Sequence, residues 1–503
     1  MPRRLSLFFL VAVIALYVVL RVWGIDATCL WFDEIFSVHT AEHDLVGLLN
    51  FAALDLVHPP LYYIVLKGWI SIGGEGVAWL RLLSMMFACI AVIPYVLLVR
   101  ELYDLPREQE RWLLVIALLI LAANGPLIRY AQEVRMYSLL LCLSLLSFWL
   151  FVRAVNRRTS VVPLLAVNIL LIYTHYFGLF VVATQAIAVL FVARSRWREL
   201  ELGNLIAFAT FIPWLVAIRT AAAQSPGLTQ NIGWTPRPGV SEILRFGLSL
   251  VEPFYYPPTT VAPASYYAIS VPLLLAVIGL LIYRKSIGVK QNKLVLIFAA
   301  GPVLFAFAAS WVFPHSVWGT RHLSMVFPVA ALLIAHSITA SMSRKVTTAF
   351  ITLLVLFTGY AFVTYARRAV TTPIWCCWER LTASNSISKE TPVYAFEDLI
   401  AYHLWFSLRD KGASVKVVHG IPDIPEDLGF FLPRGFDEVG AVYLIDIQAD
   451  EIWIAFRSSA ASEDALYASP PLRTLTGLGY RPAEIHDLQT ETERAYLIRL
   501  TKR

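Results

Sequence analysis

Asp33 and Glu34 stand side by side near the start of a stretch that runs from Trp31 to Tyr63. The same stretch ends in His58-Pro59-Pro60-Leu61-Tyr62-Tyr63. A carboxylate can take the proton of an attacking hydroxyl. Imidazole and guanidinium groups can hold a phosphate or stabilise a departing oxyanion. Such residues recur in three more short stretches: RYAQEVRMY at 129–137, Thr174-His175-Tyr176-Phe177, and Arg321-His322. Together they hold the parts of a group-transfer reaction: a base, donors for an anion, and aromatic walls.

Each group also has a plainer reading. Two adjacent acids cannot face the same way on a helix, so Asp33 is the better base and Glu34 would orient a neighbour. Both acids equally suit the first turn of a helix beginning near Ile35. Pro59 and Pro60 fix the backbone around His58, which holds its ring either against a phosphate or simply in a turn. If 129–137 is helical, Arg129 and Glu133 pair four residues apart. Arg135 then points elsewhere, and its planar fork matches a phosphate; the alternative for either arginine is snorkelling to headgroups. His58, His175 and His322 come from separate loops without metal-ligand spacing. No metal is therefore expected, and Asp33 with the histidines around a divalent ion is the remote variant.

The elements that must position these residues are membrane helices. The chain has 503 residues, 58% hydrophobic and 15% charged, where a soluble protein carries about 25% charged residues. Several runs reach about 18 largely apolar residues, enough to cross about 30 Å of hydrocarbon. The expected fold is an α-helical polytopic membrane protein with about eleven spans. They fall at 5–23, 77–99, 112–128, 136–152, 161–174, 177–193, 202–218, 266–283, 294–313, 323–340 and 346–364. Gly125-Pro126 interrupts the third, and Thr174-His175-Tyr176 separates two short ones. Arg3-Arg4 precede an apolar run without a cleavage site, which reads as an uncleaved first span.

Arg and Lys recur in alternate short loops, which puts the N-terminus in the cytoplasm of a plasma (inner) membrane protein. The net charge of +6 belongs to that pattern and not to nucleic-acid binding. An odd number of spans places the C-terminal segment outside, although Arg367-Arg368 run against the charge rule. Asp33, Glu34, His58, Arg129, Glu133, Arg135, Tyr137, His175, Tyr176, Arg321 and His322 then share the outer face. Ionisable groups near hydrocarbon cost about 2.5–3.5 kcal/mol each at a helix centre, so a common wet cavity is the economical arrangement.

Residues 1–365 thus read as a transmembrane domain with outer-face loops at 24–76 and 219–265. An amphipathic helix is expected over 41–53, with Leu45, Leu48, Leu49 and Phe51 on one side. The 219–265 loop, rich in Pro and aromatics, is either a lid or an irregular connector. Residues 366–503 read as an extracytoplasmic α/β domain. Strands are expected at 393–396, 415–418, 441–447, 451–456 and 495–500, with a helix over 398–410. No phosphate loop or metal-ligand spacing occurs there, which suggests a scaffold or acceptor-docking role. Cys89 and Cys142 fall inside spans. Cys29 lies near the membrane face, either as a free thiol or bridged to Cys376 or Cys377.

Trp31-x-Asp33-Glu34 followed by His58-Pro59-Pro60-Leu61-Tyr62-Tyr63 resembles the protein O-mannosyltransferase-like family. So do RYAQEVRMYSLL (129–140), the 174–177 turn and RHLSMVFPVAALLIA (321–335). These are multi-span glycosyltransferases of the GT-C class (family 39 type), whose bacterial branch includes lipid A aminoarabinose transferases. The resemblance covers roughly residues 5–340. It implies transfer of a sugar from a polyprenyl-phosphate donor, with inversion, at the outer face. It implies Asp33 as base, assisted by Glu34. The donor phosphate would meet His58 and Arg135; from their own place in the chain, Arg129 and Arg321 are further phosphate candidates, and Tyr62, Tyr137, His175, Tyr176 and His322 are candidates for substrate contact. The acceptor would be an envelope lipid such as lipopolysaccharide, a glycan or a protein. No MIR-type loop domain is evident, which counts against a protein acceptor. A lipid-phosphate carrier also suits outer-face chemistry, because nucleotide sugars are made and kept in the cytoplasm. Two other readings are a transporter or flippase of lipid-linked sugars and a structural membrane subunit. Transporters often show repeated halves, and no repeat is evident here.

Overall fold

Asn124 marks a sharp break in the transmembrane architecture. In the computed structural model, helix Arg107–Ala123 stops at this residue and Gly125–Ala131 restarts bent by 70°. Asn124 is extended, its side chain caps the new helix by accepting the Leu127 N–H, and Pro126 in the first turn needs no intrahelical donor. Its amide also donates to the Ser249 carbonyl, which ties the break to helix Val240–Ser249.

The structure describes residues 3–157, 159–192, 196–223, 235–250, 290–339, 375–385, 387–420, 438–459, 462–490 and 493–502. It also describes isolated positions 252, 271, 275, 352, 356 and 359. The chain forms two compact units. One is Met1–Ile25 with Ala41–Tyr365, the other Asp26–Thr40 with Ala366–Arg503.

The first unit is helical. Among the described residues, Arg4–Val22, Val77–Leu102, Tyr137–Arg157, Trp197–Ala223 and Gln291–Val312 are long and apolar enough to cross a membrane, and the bent pair at Asn124 adds a sixth. This is a multi-pass membrane protein. The expected spans at 161–174, 177–193 and 323–340 are the shorter apolar helices Val162–Thr174, Phe177–Val192 and Val326–Thr339. Those expected at 266–283 and 346–364, and most of the 219–265 loop, lie outside the described residues.

The stretch 24–76 holds more structure than a loop. Phe32–Glu42, Leu45–Asp55 and Leu61–Gly73 are all helices. The single helix expected over 41–53 is divided because the Asp44 carboxylate accepts the Gly47 N–H and starts a new helix there. Leu48 and Phe51 are buried, and Leu45 is exposed. Leu61–Gly73 is locked to Val77–Ile90 by a reciprocal pair. The Trp69 and Trp79 rings stack at 4.2 Å, and each indole N–H donates to the other residue's carbonyl.

The second unit is built on a six-stranded sheet. Its strands are β1 (Val393–Ala395), β2 (Val415–His419), β3 (Gly440–Tyr443), β4 (Glu451–Ser458), β5 (Tyr480–Gln489) and β6 (Arg494–Lys502). The order is β3-β2-β1-β4-β6-β5. β1 to β4 pair in parallel, and β6 joins antiparallel to both β4 and β5. Ile452, Ile454, Phe456, Ile498 and Leu500 pack with Leu466, Leu472 and Leu475 of the short helices Glu463–Tyr467 and Pro470–Gly477. Helix Asp398–Leu408 packs on β1 and β2. β3 is shorter than expected, since Leu444–Asp446 turns as a 3-10 helix. β5 was not expected. It is an edge strand whose charged residues and Pro482 hide the alternation, and its register slips between Pro482 and Glu484.

Candidate functional site

The first unit brings together four stretches at the ends of its helices. His58 lies between Leu45–Asp55 and Leu61–Gly73. Leu56, at a φ of 63°, closes the first of these helices, and Pro60 opens the second. His175 sits in extended conformation at the break between Val162–Thr174 and Phe177–Val192. That break is tight: a Cβ on Gly178 would lie 2.5 Å from the Leu171 carbonyl oxygen. His322 belongs to the 3-10 turn Thr320–Leu323 that precedes Val326–Thr339. Arg135 lies in the turn before Tyr137–Arg157, and its carbonyl accepts the Ser84 hydroxyl at 3.1 Å.

The three histidines each present a ring nitrogen, and these atoms lie within 4.8 Å of one another. Ring centres are 5.4 Å apart for His58 and His175 and 4.9 Å for His175 and His322. Arg135 Nη2 is 3.3 Å from His58 Nε2. Tyr137 and Phe177 wall the cluster, at 6.0 and 5.1 Å from the His322 ring. The Arg321 guanidinium lies 5.8 Å from the centre of the Tyr137 ring. His58, Arg135 and His175 are buried.

Hydrogen bonds assign the imidazole protons. His175 Nδ1 accepts the Phe177 N–H at 3.0 Å, so Nε2 carries the hydrogen. That atom is buried and has no hydrogen-bond partner among the described residues. His322 Nδ1 lies 3.4 Å from the Val317 carbonyl, so Nδ1 donates and Nε2 keeps its lone pair. His58 Nε2 accepts from Arg135, while Nδ1 faces Asp55 Oδ2 at 3.8 Å.

All three rings are held neutral. Burial, reinforced by the Arg135 and Arg321 charges, pushes His175 down to about 3. Burial also lowers His58, assisted first by Arg135, and His322, assisted by His175 and Arg321.

Three neutral imidazoles at this spacing have the number of a three-histidine metal site. The donor set, however, fits a cation poorly. A guanidinium stands 3.3 Å from one ring. His175 would have to shed its Nε2 proton while Nδ1 still accepts the Phe177 N–H. The same two features favour an anion, for which the guanidinium and the Nε2–H are both donors.

The other expected site residues take several places. Arg129 pairs with Glu133 at 2.8 Å. The Tyr62 hydroxyl lies 3.2 Å from Ser84 Oγ, and so supports the backbone of Arg135. Tyr176 packs on Phe211, with its hydroxyl 3.4 Å from Trp214 Nε1. Asp33 and Glu34 belong to the second unit. Their helix starts at Phe32, three residues before the expected Ile35, so both acids lie in its first turn. Glu34 Oε2 accepts the Trp31 N–H at 3.1 Å, half of a capping box, and the Asp33 carbonyl accepts the Ser37 hydroxyl. Sequence reasoning missed Asp55, Ser84 and Phe177. Asp55, three residues before His58, was the one with a visible signal.

No protein-family model and no curated protein matches the chain. Among solved structures, the chain is similar to ArnT from Cupriavidus metallidurans bound to undecaprenyl phosphate. The TM-score is 0.58 at 13% identity, over 99% of this chain and 98% of that one. The apo state of the same protein gives 0.56 at 12% identity, over 97% of both chains. The likeness shows a shared fold along nearly the whole chain, beyond the 5–340 over which sequence motifs are recognisable. It is the expected GT-C architecture of a helical membrane domain with a C-terminal α/β unit.

Proposed function

We propose that this protein is a membrane glycosyltransferase that takes its sugar from a polyprenyl phosphate. The observation that carries the reading is the cluster of Arg135, His58, His175 and His322, which offers an anion a guanidinium and an Nε2–H that has no partner among the described residues. A fold shared with a protein whose structure holds undecaprenyl phosphate supports the same ligand class. In this reading the donor phosphate lies against Arg135 and His175, with Arg321 adding positive charge and Tyr137 an aromatic wall.

The reaction then balances as a single displacement. The acceptor oxygen attacks the anomeric carbon and gives its proton to a carboxylate, a role assigned to Asp33 from its place in the first-loop motif. The bond from the anomeric carbon to the phosphate oxygen breaks, and its electron pair leaves with the polyprenyl phosphate. The anomeric configuration inverts. Arg135 and the His175 N–H act where charge accumulates on the departing phosphate. The Cys29–Cys376 disulfide supports an extracytoplasmic second unit, because disulfides persist in oxidising compartments. Envelope lipid or glycan is the proposed acceptor class, and the plasma membrane the proposed location.

Two measurements test this. Purified protein should bind undecaprenyl phosphate, and Arg135→Ala should weaken that binding. A deletion strain should accumulate one lipid-linked monosaccharide, identified by mass spectrometry, which would name the donor. Binding that is absent, or indifferent to Arg135, would remove the reading; binding without such accumulation would point instead to a carrier of lipid-linked sugars.

A further inference from the structure

We propose that the C-terminal α/β unit positions the helix that carries Asp33; this rests on the reading of Asp33 as the base. The segment Asp26–Thr40 belongs to the same compact unit as the residues after Ala366, although it lies early in the sequence. Three ties hold it there, and Glu438 approaches one of the tied residues. Cys29 is bonded to Cys376 across 347 residues, and its N–H donates to Cys376 Sγ. The Phe32 ring lies 5.0 Å from Tyr402. The His39 ring stands edge-on to Trp405 at 5.0 Å. His39 Nε2 is 3.3 Å from Glu438 Oε2.

The spacing of these ties makes them a clamp. Phe32 and His39 are seven residues apart, two turns of one helix. Tyr402 and Trp405 are three apart, on one face of helix Asp398–Leu408. That helix is itself seated on β1 and β2. Position therefore passes from the sheet, through Tyr402 and Trp405, to both ends of the segment that bears Asp33. Helix Phe32–Glu42 has 11 residues, too few to hold its shape alone. A base works only within hydrogen-bond reach of the proton it takes, and an error of about 1 Å can cost about 100-fold in rate.

The test uses the full-length protein. Tyr402→Ala with Trp405→Ala, and Cys29→Ser with Cys376→Ser, are each expressed in the deletion strain and purified. Transfer is read from the restored envelope product, and the donor side from binding of undecaprenyl phosphate. The proposal expects transfer to fall about 10- to 100-fold while affinity changes by less than about twofold. Tyr402→Phe, which keeps the ring, should restore transfer. Thiol reduction of the folded protein in isolated membranes should lower transfer in the same way, which covers a variant that fails to fold. Transfer that survives both double variants, or affinity that falls in parallel with it, overturns the proposal. Asp33→Asn in the same assay separates the two claims. If it retains transfer, the base assignment is wrong; if it loses transfer while the clamp variants keep it, only the clamp is wrong.

Discussion

Arg135 Nη2 lies 3.3 Å from His58 Nε2, although the two residues are 77 positions apart. The contact puts a permanent charge beside a ring that burial keeps neutral. A bound phosphate would take hydrogen bonds from the Arg135 guanidinium and the His175 Nε2–H. Charge-assisted hydrogen bonds contribute about 1.5–3 kcal/mol each, or about 10- to 150-fold in affinity. Arg135→Ala should therefore weaken undecaprenyl phosphate binding by about that factor. Arg135→Lys should recover only part of it, because a point charge cannot replace the planar fork. Titration of purified protein with undecaprenyl phosphate measures both.

The neutral histidines make stability depend on pH. Each folded-state value lies below the unfolded value of about 6.5, with His175 at about 3. Between those limits the unfolded chain binds more protons than the folded one, so stability rises with pH. The contribution is complete above about pH 6.5 and is lost as the pH falls below it. Each histidine adds a slope of about 1.4 kcal/mol per pH unit. The thermal midpoint in detergent should be flat above pH 7 and fall steeply towards pH 5. His175→Gln should flatten that fall; an unchanged profile would mean that His175 titrates normally.

Removing divalent ions should not weaken binding at this cluster. The guanidinium at His58 and the proton on His175 Nε2 both oppose a cation. Undecaprenyl phosphate affinity measured before and after exhaustive chelation should agree within about twofold. A tenfold loss that zinc restores would show that the histidines ligate a metal.

The two adjacent acids should separate by mutation. Glu34 accepts the Trp31 N–H as the third residue of its helix, a role glutamine can also fill. Glu34→Gln should keep both stability and transfer, whereas Glu34→Ala should cost about 1 kcal/mol. Asp33→Asn should abolish transfer with little change in thermal midpoint. Equal loss of transfer in Asp33→Asn and Glu34→Gln would assign both acids to the chemistry.

What could be read in advance divides along physical lines. Long apolar runs and the Gly125-Pro126 break are local signals, and they place the helices and the bend at Asn124. The parallel strands at 393–395, 415–419 and 451–458 are short runs rich in Val, Ile and aromatic residues, so they were legible too. β5 was not, because an edge strand with one solvated face carries charges and a proline. The meeting of His58, His175 and His322 depends on how helices from separate parts of the chain pack, and no periodicity encodes that. The transfer of Asp26–Thr40 to the C-terminal unit depends on Cys29 choosing Cys376, a choice that spacing alone left open.

Gly73 tests the clamp between Leu61–Gly73 and Val77–Ile90. A Cβ there would lie 2.1 Å from the Trp79 ring, which is already stacked on Trp69 and hydrogen-bonded in both directions. The ring cannot retreat without breaking the stack, so Gly73→Ala should cost about 1–3 kcal/mol as overpacking. Gly68 lies in the same helix, but a Cβ added there meets nothing within 4 Å. Gly68→Ala should instead stabilise by about 0.5–1 kcal/mol, the usual gain inside a helix. The two substitutions are chemically identical, so opposite shifts in thermal midpoint report on the Trp69–Trp79 pair alone. Equal shifts would mean that the stacked indoles do not hold these helices together.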